Sequence, residues 1–241
     1  MPENAVAPDL RREEHTIVNP LIEAPLPDCH ANRRRQARVD TTLLNWEASP
    51  SGTVWRKPLY RVGGENGPVT SLVRYAPGGA FQPHSHPDGE EILVLEGVFA
   101  DEHGDYPAGT YLLNPDGSRH APRSDPGCVL LVRLRQYPGA HRLQQVLDTT
   151  TGPWSPGLAS GIEMQMLYAQ AGYPERMRLE RWCPDTTRSC HPNGEEIFIL
   201  EGALQDGEGA AGPGCWLRYP PGDCGVLHSI IGCQLYVRVG G

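Results

Sequence analysis

Apolar and polar positions alternate over short distances in this chain, and a helical period is weak throughout. The runs TSLVRYAP (70–77), EEILVLEGVFA (90–100), GTYLLNP (109–115) and CVLLVRLRQY (128–137) are rich in β-branched and apolar residues. Gly, Pro, Asp and Asn bound them, which is the composition of strands set between turns. Within EILVLEG, alternation sends Glu90, Ile92 and Val94 to one face and Glu91, Leu93 and Leu95 to the other. Both faces are apolar beyond the leading glutamates, so the pattern predicts a strand covered on one side by a barrel interior and on the other by a second packed layer. The expected fold is all-β.

The pattern also repeats. HPDGEEILVLEG (86–97) and HPNGEEIFILEG (191–202) agree at nine of twelve positions with an offset of 105. The same offset carries Pro115 and Gly117 onto Pro220 and Gly222, and Gly127-Cys128 onto Gly232-Cys233. Upstream, PLYRV (58–62) and MLYAQ (166–170) align at an offset of 108. Repetition on this scale implies a duplicated unit. The expected organisation is an N-terminal extension over 1–38, a first half over 39–145 and a second over 146–241. TIVNPLIEAPLP in the extension reads as an edge strand or a tail.

Size and charge narrow the classes. A chain of 241 residues can bury a core without disulfides. The net charge of −8 excludes the basic footprint that nucleic acid requires. The local run Arg33, Arg34, Arg35 and Arg38 reads as a solvated lead-in. Seven cysteines without a CxxC pair, and no secretory or membrane-spanning apolar stretch, predict reduced thiols, a cytoplasmic location and no membrane partner.

The chemistry concentrates in HSHPDGEE (84–91). His84 and His86 share one face of an extended segment, so both imidazoles can reach one point. The Pro87-Asp88-Gly89 turn brings Glu90 back beside them, and a second Pro-x-Gly bend in NPDGSRH (114–120) delivers His120. Three imidazoles and a carboxylate suit one divalent transition ion, iron, zinc, manganese, nickel or copper, and suit calcium poorly. Glu91 belongs on the opposite strand face.

GAFQPHSHPDGEEILVLEG resembles the first cupin motif, with Gly78, His84, His86, Glu90 and Gly97 in register, and GTYLLNPDGSRHAPRS resembles the second, with Gly109, Pro115, Gly117 and His120 matching and Ser124 where many cupins carry Asn. GEEILVLEGVFADEHGDYPAGTYLLNP is similar to the cupin-like domain of ChrR-type anti-sigma factors. The resemblance implies two tandem jelly-roll-like cupin barrels, and metal ligation by His84, His86, Glu90 and His120. It does not extend to the helical sigma-binding domain of those proteins, whose zinc motif has no counterpart in residues 1–38.

In the second half, His191 and Glu195 align with His86 and Glu90, but Ser189 and Gly225 stand where His84 and His120 would align. The expectation is a degenerate second barrel and one ion per chain. A rival set would draw on His228, Cys190 or Cys224, although Cys190 and Cys224 are expected to face away from a pocket lined by His191. Two functions follow from coordination number. An open six-coordinate iron site fits a dioxygenase acting on a small dicarbonyl or hydroxyketone, with Tyr111 and Arg74 as candidate acid–base groups. A closed tetrahedral zinc site fits a sensor or regulatory module. A small-molecule ligand and a homodimer are both compatible with the sequence.

Overall fold

A computed structural model describes residues 27–223 and 225–240. The segment beginning at Thr16 falls mostly outside these residues, and Cys224 falls outside them entirely. Among the described residues there is no α-helix, only two short 3-10 turns at Thr41–Leu43 and Gly64–Asn66.

Each half contributes one large sheet, and the two sheets have the same strand order. In the first half the order is Gln145–Asp148, Thr110–Asn114, Glu90–Asp101, Cys128–Leu134, Val69–Tyr75, Val54–Arg61 and Glu47–Ala48. In the second it is Ala37–Asp40, Cys215–Tyr219, Glu195–Gly202, Cys233–Val239, Arg176–Trp182, Ile162–Ala169 and Ser155–Pro156. The first strand of each sheet comes from the opposite half of the chain. Ala37–Asp40 pairs with Cys215–Tyr219, and Gln145–Asp148 pairs with Thr110–Asn114.

This exchange has a sequence mark. Asp40-Thr41-Thr42 followed by Trp46 repeats as Asp148-Thr149-Thr150 followed by Trp154. Asp40 and Asp148 each accept from the backbone N–H two residues on, both at 2.9 Å. Thr41 donates to the Gly214 carbonyl (2.8 Å) and Thr149 to that of Gly109 (2.6 Å), so each repeat is latched to the other by the same contact. Two arginines of the basic run nearby are built in, contrary to the solvated lead-in expected, while Arg34 and Arg35 are exposed as that reading has them. Arg38 pairs with Asp206 at 2.6 Å, and Arg33 lies 4.9 Å over the Tyr60 ring and 3.6 Å from Glu196.

Three apolar clusters account for the core. Ile92, Val94, Phe99, Leu112, Leu130 and Val132 fill the first barrel, and Ile197, Ile199, Leu217, Leu227, Leu235 and Val237 fill the second. The third lies between the two sheets and mixes both halves, with Leu93, Tyr111, Leu131 and Tyr137 against Phe198, Trp216 and Tyr236. The strand Glu90–Asp101 is thus covered on both faces, as its pattern predicts. Ile92 and Val94 face the barrel interior, and Leu93 faces the second layer.

Charge is buried in that middle layer. Glu91 and Arg133 recur at the 105-residue offset as Glu196 and Arg238. Arg133 donates to Glu196 at 3.0 Å and to the Tyr236 hydroxyl at 2.9 Å, and lies 3.3 Å from Glu91. Tyr137 and Tyr236 both donate to Glu91, and Arg238 stands 3.7 Å from Glu196. Burial pushes the Glu196 carboxyl up, but Arg133, Arg238 and Arg33 outweigh it and bring its pKa down to about 2. The doubled glutamates of HPDGEE and HPNGEE therefore divide their work, the second of each pair serving the interface.

Both long strands carry a bulge at the same place. Pairing skips Leu95 in the first half and Leu200 in the second. Gly97 (φ +71°) and Gly202 (φ +72°) follow, and a Cβ there would lie 2.0 Å and 2.1 Å from the carbonyl oxygens of Gly127 and Gly232. Only glycine fits such an approach.

Candidate metal centre

Two turns build the cluster. Asp88 (φ +55°) and Gly89 (φ +73°) reverse the chain after His86. Asp88 N–H donates to the Asp116 side chain (2.8 Å) and Gly117 N–H to the His86 carbonyl (3.0 Å), which ties this turn to the Pro115-Asp116-Gly117 bend. The short strands His84–His86 and Ser118–His120 then pair antiparallel, with His84 directly opposite His120.

The ligand-type atoms of His84, His86 and His120 all lie within 4.8 Å of one another. His86 Nε2 and His120 Nε2 are 2.9 Å apart, and Glu90 Oε2 is 3.5 Å from each. Donors sharing an ion at about 2.1 Å stand roughly 3.0 Å apart in an octahedron and roughly 3.4 Å apart in a tetrahedron. The His86–His120 spacing matches the octahedral value and the two Glu90 spacings the tetrahedral one, while Glu90 falls outside the group of three histidines whose donor atoms all lie within 4.8 Å of one another.

Protonation is arranged to suit that use. His120 Nδ1 faces Asp101 Oδ2 at 3.2 Å and His84 Nδ1 faces the Gln82 carbonyl at 2.8 Å. Both acceptors call for Nδ1–H, which leaves each Nε2 lone pair directed inward. Burial, then the neighbouring His120 and His84 rings, then Arg135, lower the His86 pKa to about 3. Burial also lowers His120, outweighing the opposite pull of Asp101. Burial raises Glu90 to about 7, a hydrogen bond from Asn114 (3.1 Å) opposing it and the Asp101 charge reinforcing it. These are neutral imidazoles beside a carboxyl whose charged form a cation would favour.

Asp101 is the part that sequence reasoning missed. Simple alternation from Glu90 puts residue 101 on the other face, and the bulge at Leu95 reverses the parity so that Phe99 and Asp101 turn inward with Ile92. The Gly97 that accompanies the bulge was the available signal. Asp101→Asn keeps the shape but removes the charge that orients His120. It is expected to weaken metal affinity by about 10- to 100-fold, read by competition with a chelator of known affinity.

His84, His86 and Glu90 also line a cavity of about 230 Å³, whose walls include Val73, Ile92, Phe99, Leu130 and Val132. Neither Tyr111 nor Arg74 does. Tyr111 is buried in the layer between the sheets, and Arg74 is stacked over Trp46 and Trp55 at 4.6 Å and 5.0 Å. Both serve packing.

In the second half a guanidinium occupies the aligned place. Arg188 reaches Glu195, the counterpart of Glu90, through two bonds of 2.7 Å and 2.9 Å, and its Nε lies 3.2 Å from Glu180. His228 turns away to Asp185 at 3.0 Å. Among the described residues, His84, His86 and His120 form the one group of three His, Cys, Asp or Glu side chains close enough to share an ion. Cys190, expected to face away from a pocket lined by His191, is buried among the second barrel's apolar side chains, and His191 is half-buried. The strand ends at Ser189, so period-two alternation does not extend to these two residues.

The family model of the ChrR cupin-like domain matches residues 34–138 and again 143–240. The chain belongs to the ChrR cupin-like domain family. Both copies of the duplication are thus cupin units, and the exchanged strands lie within the matched segments. Among solved structures, the cupin pair is similar to a candidate dioxygenase from Nostoc punctiforme, with 18% identity, a TM-score of 0.70, and coverage of 86% of this chain and 82% of that one. It is also similar to the pirin YhhW from Escherichia coli, solved with nickel(II) (14% identity, TM-score 0.61, 86% and 99% coverage). A variant of oxalate decarboxylase from Bacillus subtilis is a third (12% identity, TM-score 0.58, 84% and 76% coverage). At these identities the likeness is one of fold. No curated protein sequence matches this cupin chain. Among the described residues no helix is long and apolar enough to cross a membrane.

Proposed function

We propose that the first barrel binds one divalent transition ion through His84, His86, His120 and Glu90 and presents it to a small chelating ligand, as a non-haem iron dioxygenase acting on a dicarbonyl or hydroxyketone would. The observation that supports this most is the convergence of imidazole Nε2 atoms, two of them with Nδ1 already engaged, beside a small cavity with apolar walls. An iron(II) ion held there supplies a Lewis acid and a partner for dioxygen. The chain's own contribution is positioning and exclusion. Asp101 and the Gln82 carbonyl orient the rings, Asn114 fixes the Glu90 carboxylate, and Val73, Ile92, Leu130 and Val132 keep water from the ligand. The degenerate second barrel, with Arg188 on Glu195, supports a stoichiometry of one ion per chain.

Metal analysis of protein purified without added metal tests the reading, together with oxygen uptake on a panel of β-dicarbonyls. One iron per chain with uptake is expected. Family membership favours a second reading, a metal-loaded sensor or regulatory module. Tightly held zinc without exchangeable water and without oxygen uptake would select that reading over the first.

A further inference from the structure

A chain of net charge −8 places three arginines, Arg56, Arg61 and Arg135, around the cavity beside the histidine cluster. Among the described lining residues Glu90 is the one carboxylate, and the proposed ion would neutralise it. An anion entering this cavity therefore meets no opposing charge.

The three arginines are not equivalent. Arg61 is committed to the fold, donating to the Pro27 carbonyl at 2.9 Å and standing 3.8 Å from Glu47. Arg56 lies 6.0 Å from the centre of the Phe81 ring. Arg135 follows directly on the strand Cys128–Leu134 in the left-handed conformation, φ +58°, which few non-glycine residues adopt. Its backbone N–H donates to the Gly89 carbonyl (3.0 Å), and the Tyr137 N–H donates to that of Asp88 (2.7 Å). The arginine is thereby pinned to the turn that delivers Glu90. Its charge is felt at His86, and no ion pair or side-chain hydrogen bond engages it among the described residues. Strained backbone that holds a charged group at a cavity is a feature of ligand sites.

We infer that Arg135 receives a carboxylate of the ligand, so that the substrate class is a small anionic oxygen chelator, a keto or hydroxy acid, in place of a neutral diketone. This rests on the metal reading above for the chelating end of the ligand. A cavity of about 230 Å³ limits the molecule to a size below that of typical drug-sized ligands. The guanidinium supplies two parallel N–H donors that match a carboxylate.

Succinylacetone and its methyl ester share the same β-diketone head and differ in having a distal carboxylate or a neutral ester. Their dissociation constants are measured by calorimetry on the protein as purified, with metal content determined on each sample. The acid is expected to bind about tenfold tighter or better, the size of one charge-assisted pair. Arg135→Asn, a residue that tolerates the left-handed conformation, is expected to abolish the preference while leaving ester affinity, metal content and melting temperature unchanged. Arg135→Lys is expected to restore part of it. Equal affinities for acid and ester, a preference that survives Arg135→Asn, or failure of both compounds to bind metal-loaded protein would overturn the carboxylate assignment. Absence of metal from the unmutated protein would overturn the metal centre instead, and the acid-over-ester comparison would still judge Arg135.

Discussion

His84→Ala combined with His120→Ala is expected to take the purified protein from one bound ion per chain to near none. These two rings face each other across the short strand pair, and removing both leaves His86 and Glu90. Two donors rarely hold a labile divalent ion against competing chelators. The second barrel presents the same subtraction, since Ser189 and Gly225 stand at the aligned positions and a guanidinium meets Glu195. Emission spectrometry of the desalted variant gives the metal content, and its thermal unfolding shows whether the barrel survives. Metal retained at one ion per chain would place the site elsewhere. His191→Ala serves as the control, with no change in stoichiometry expected.

Arg133→Met is expected to destabilise the protein by about 3–5 kcal/mol, because it leaves buried carboxylates without their shared cation. Arg133 is 1% exposed and serves Glu91 and Glu196 together. Arg238 remains beside Glu196 at 3.7 Å, so that carboxylate is weakened in its pairing, while Glu91 is left to neutral tyrosine donors, Tyr137 and Tyr236 among them. The pH dependence follows from Glu196. Its pKa is about 2 in the folded protein against an ordinary 4.5, so the stability it contributes is present in full above about pH 4.5 and is lost as pH falls toward 2. Urea unfolding at pH 7 and pH 4 checks both statements. The variant is expected to be the less stable at both values and to lose less between them, since Arg133 leads the charges that hold Glu196 ionised and a folded pKa closer to 4.5 leaves less stability to be lost to acid. A difference below about 1 kcal/mol at pH 7 would show that the arginine is dispensable to the interface.

What could be read from sequence depended on distance along the chain. His84, His86 and Glu90 were legible together because a strand of period two and one tight turn determine where they point. His120 was legible because a second turn of the same kind precedes it. Asp101 was hidden by one skipped residue, which reverses every face assignment beyond it. The orientation of Glu91 was legible, but its partners Arg133, Tyr137 and Tyr236 become neighbours only when two sheets stack. Arg33 and Arg38 read as solvated because their carboxylates, Glu196 and Asp206, belong to the other half. Arg135 carried no signal at all, since its cavity exists only after the barrel closes.

The crossing strands have a bearing on how the molecule behaves as a whole. Each repeat supplies the outermost strand of its neighbour's large sheet, so neither repeat contains all the parts of its own sheet. Joining them in one chain replaces a concentration-dependent encounter with a fixed effective concentration. A tether of this kind makes the two barrels a single cooperative unit. The barrel in which Arg188 meets Glu195 is then half of the scaffold that keeps the other barrel's histidines in register.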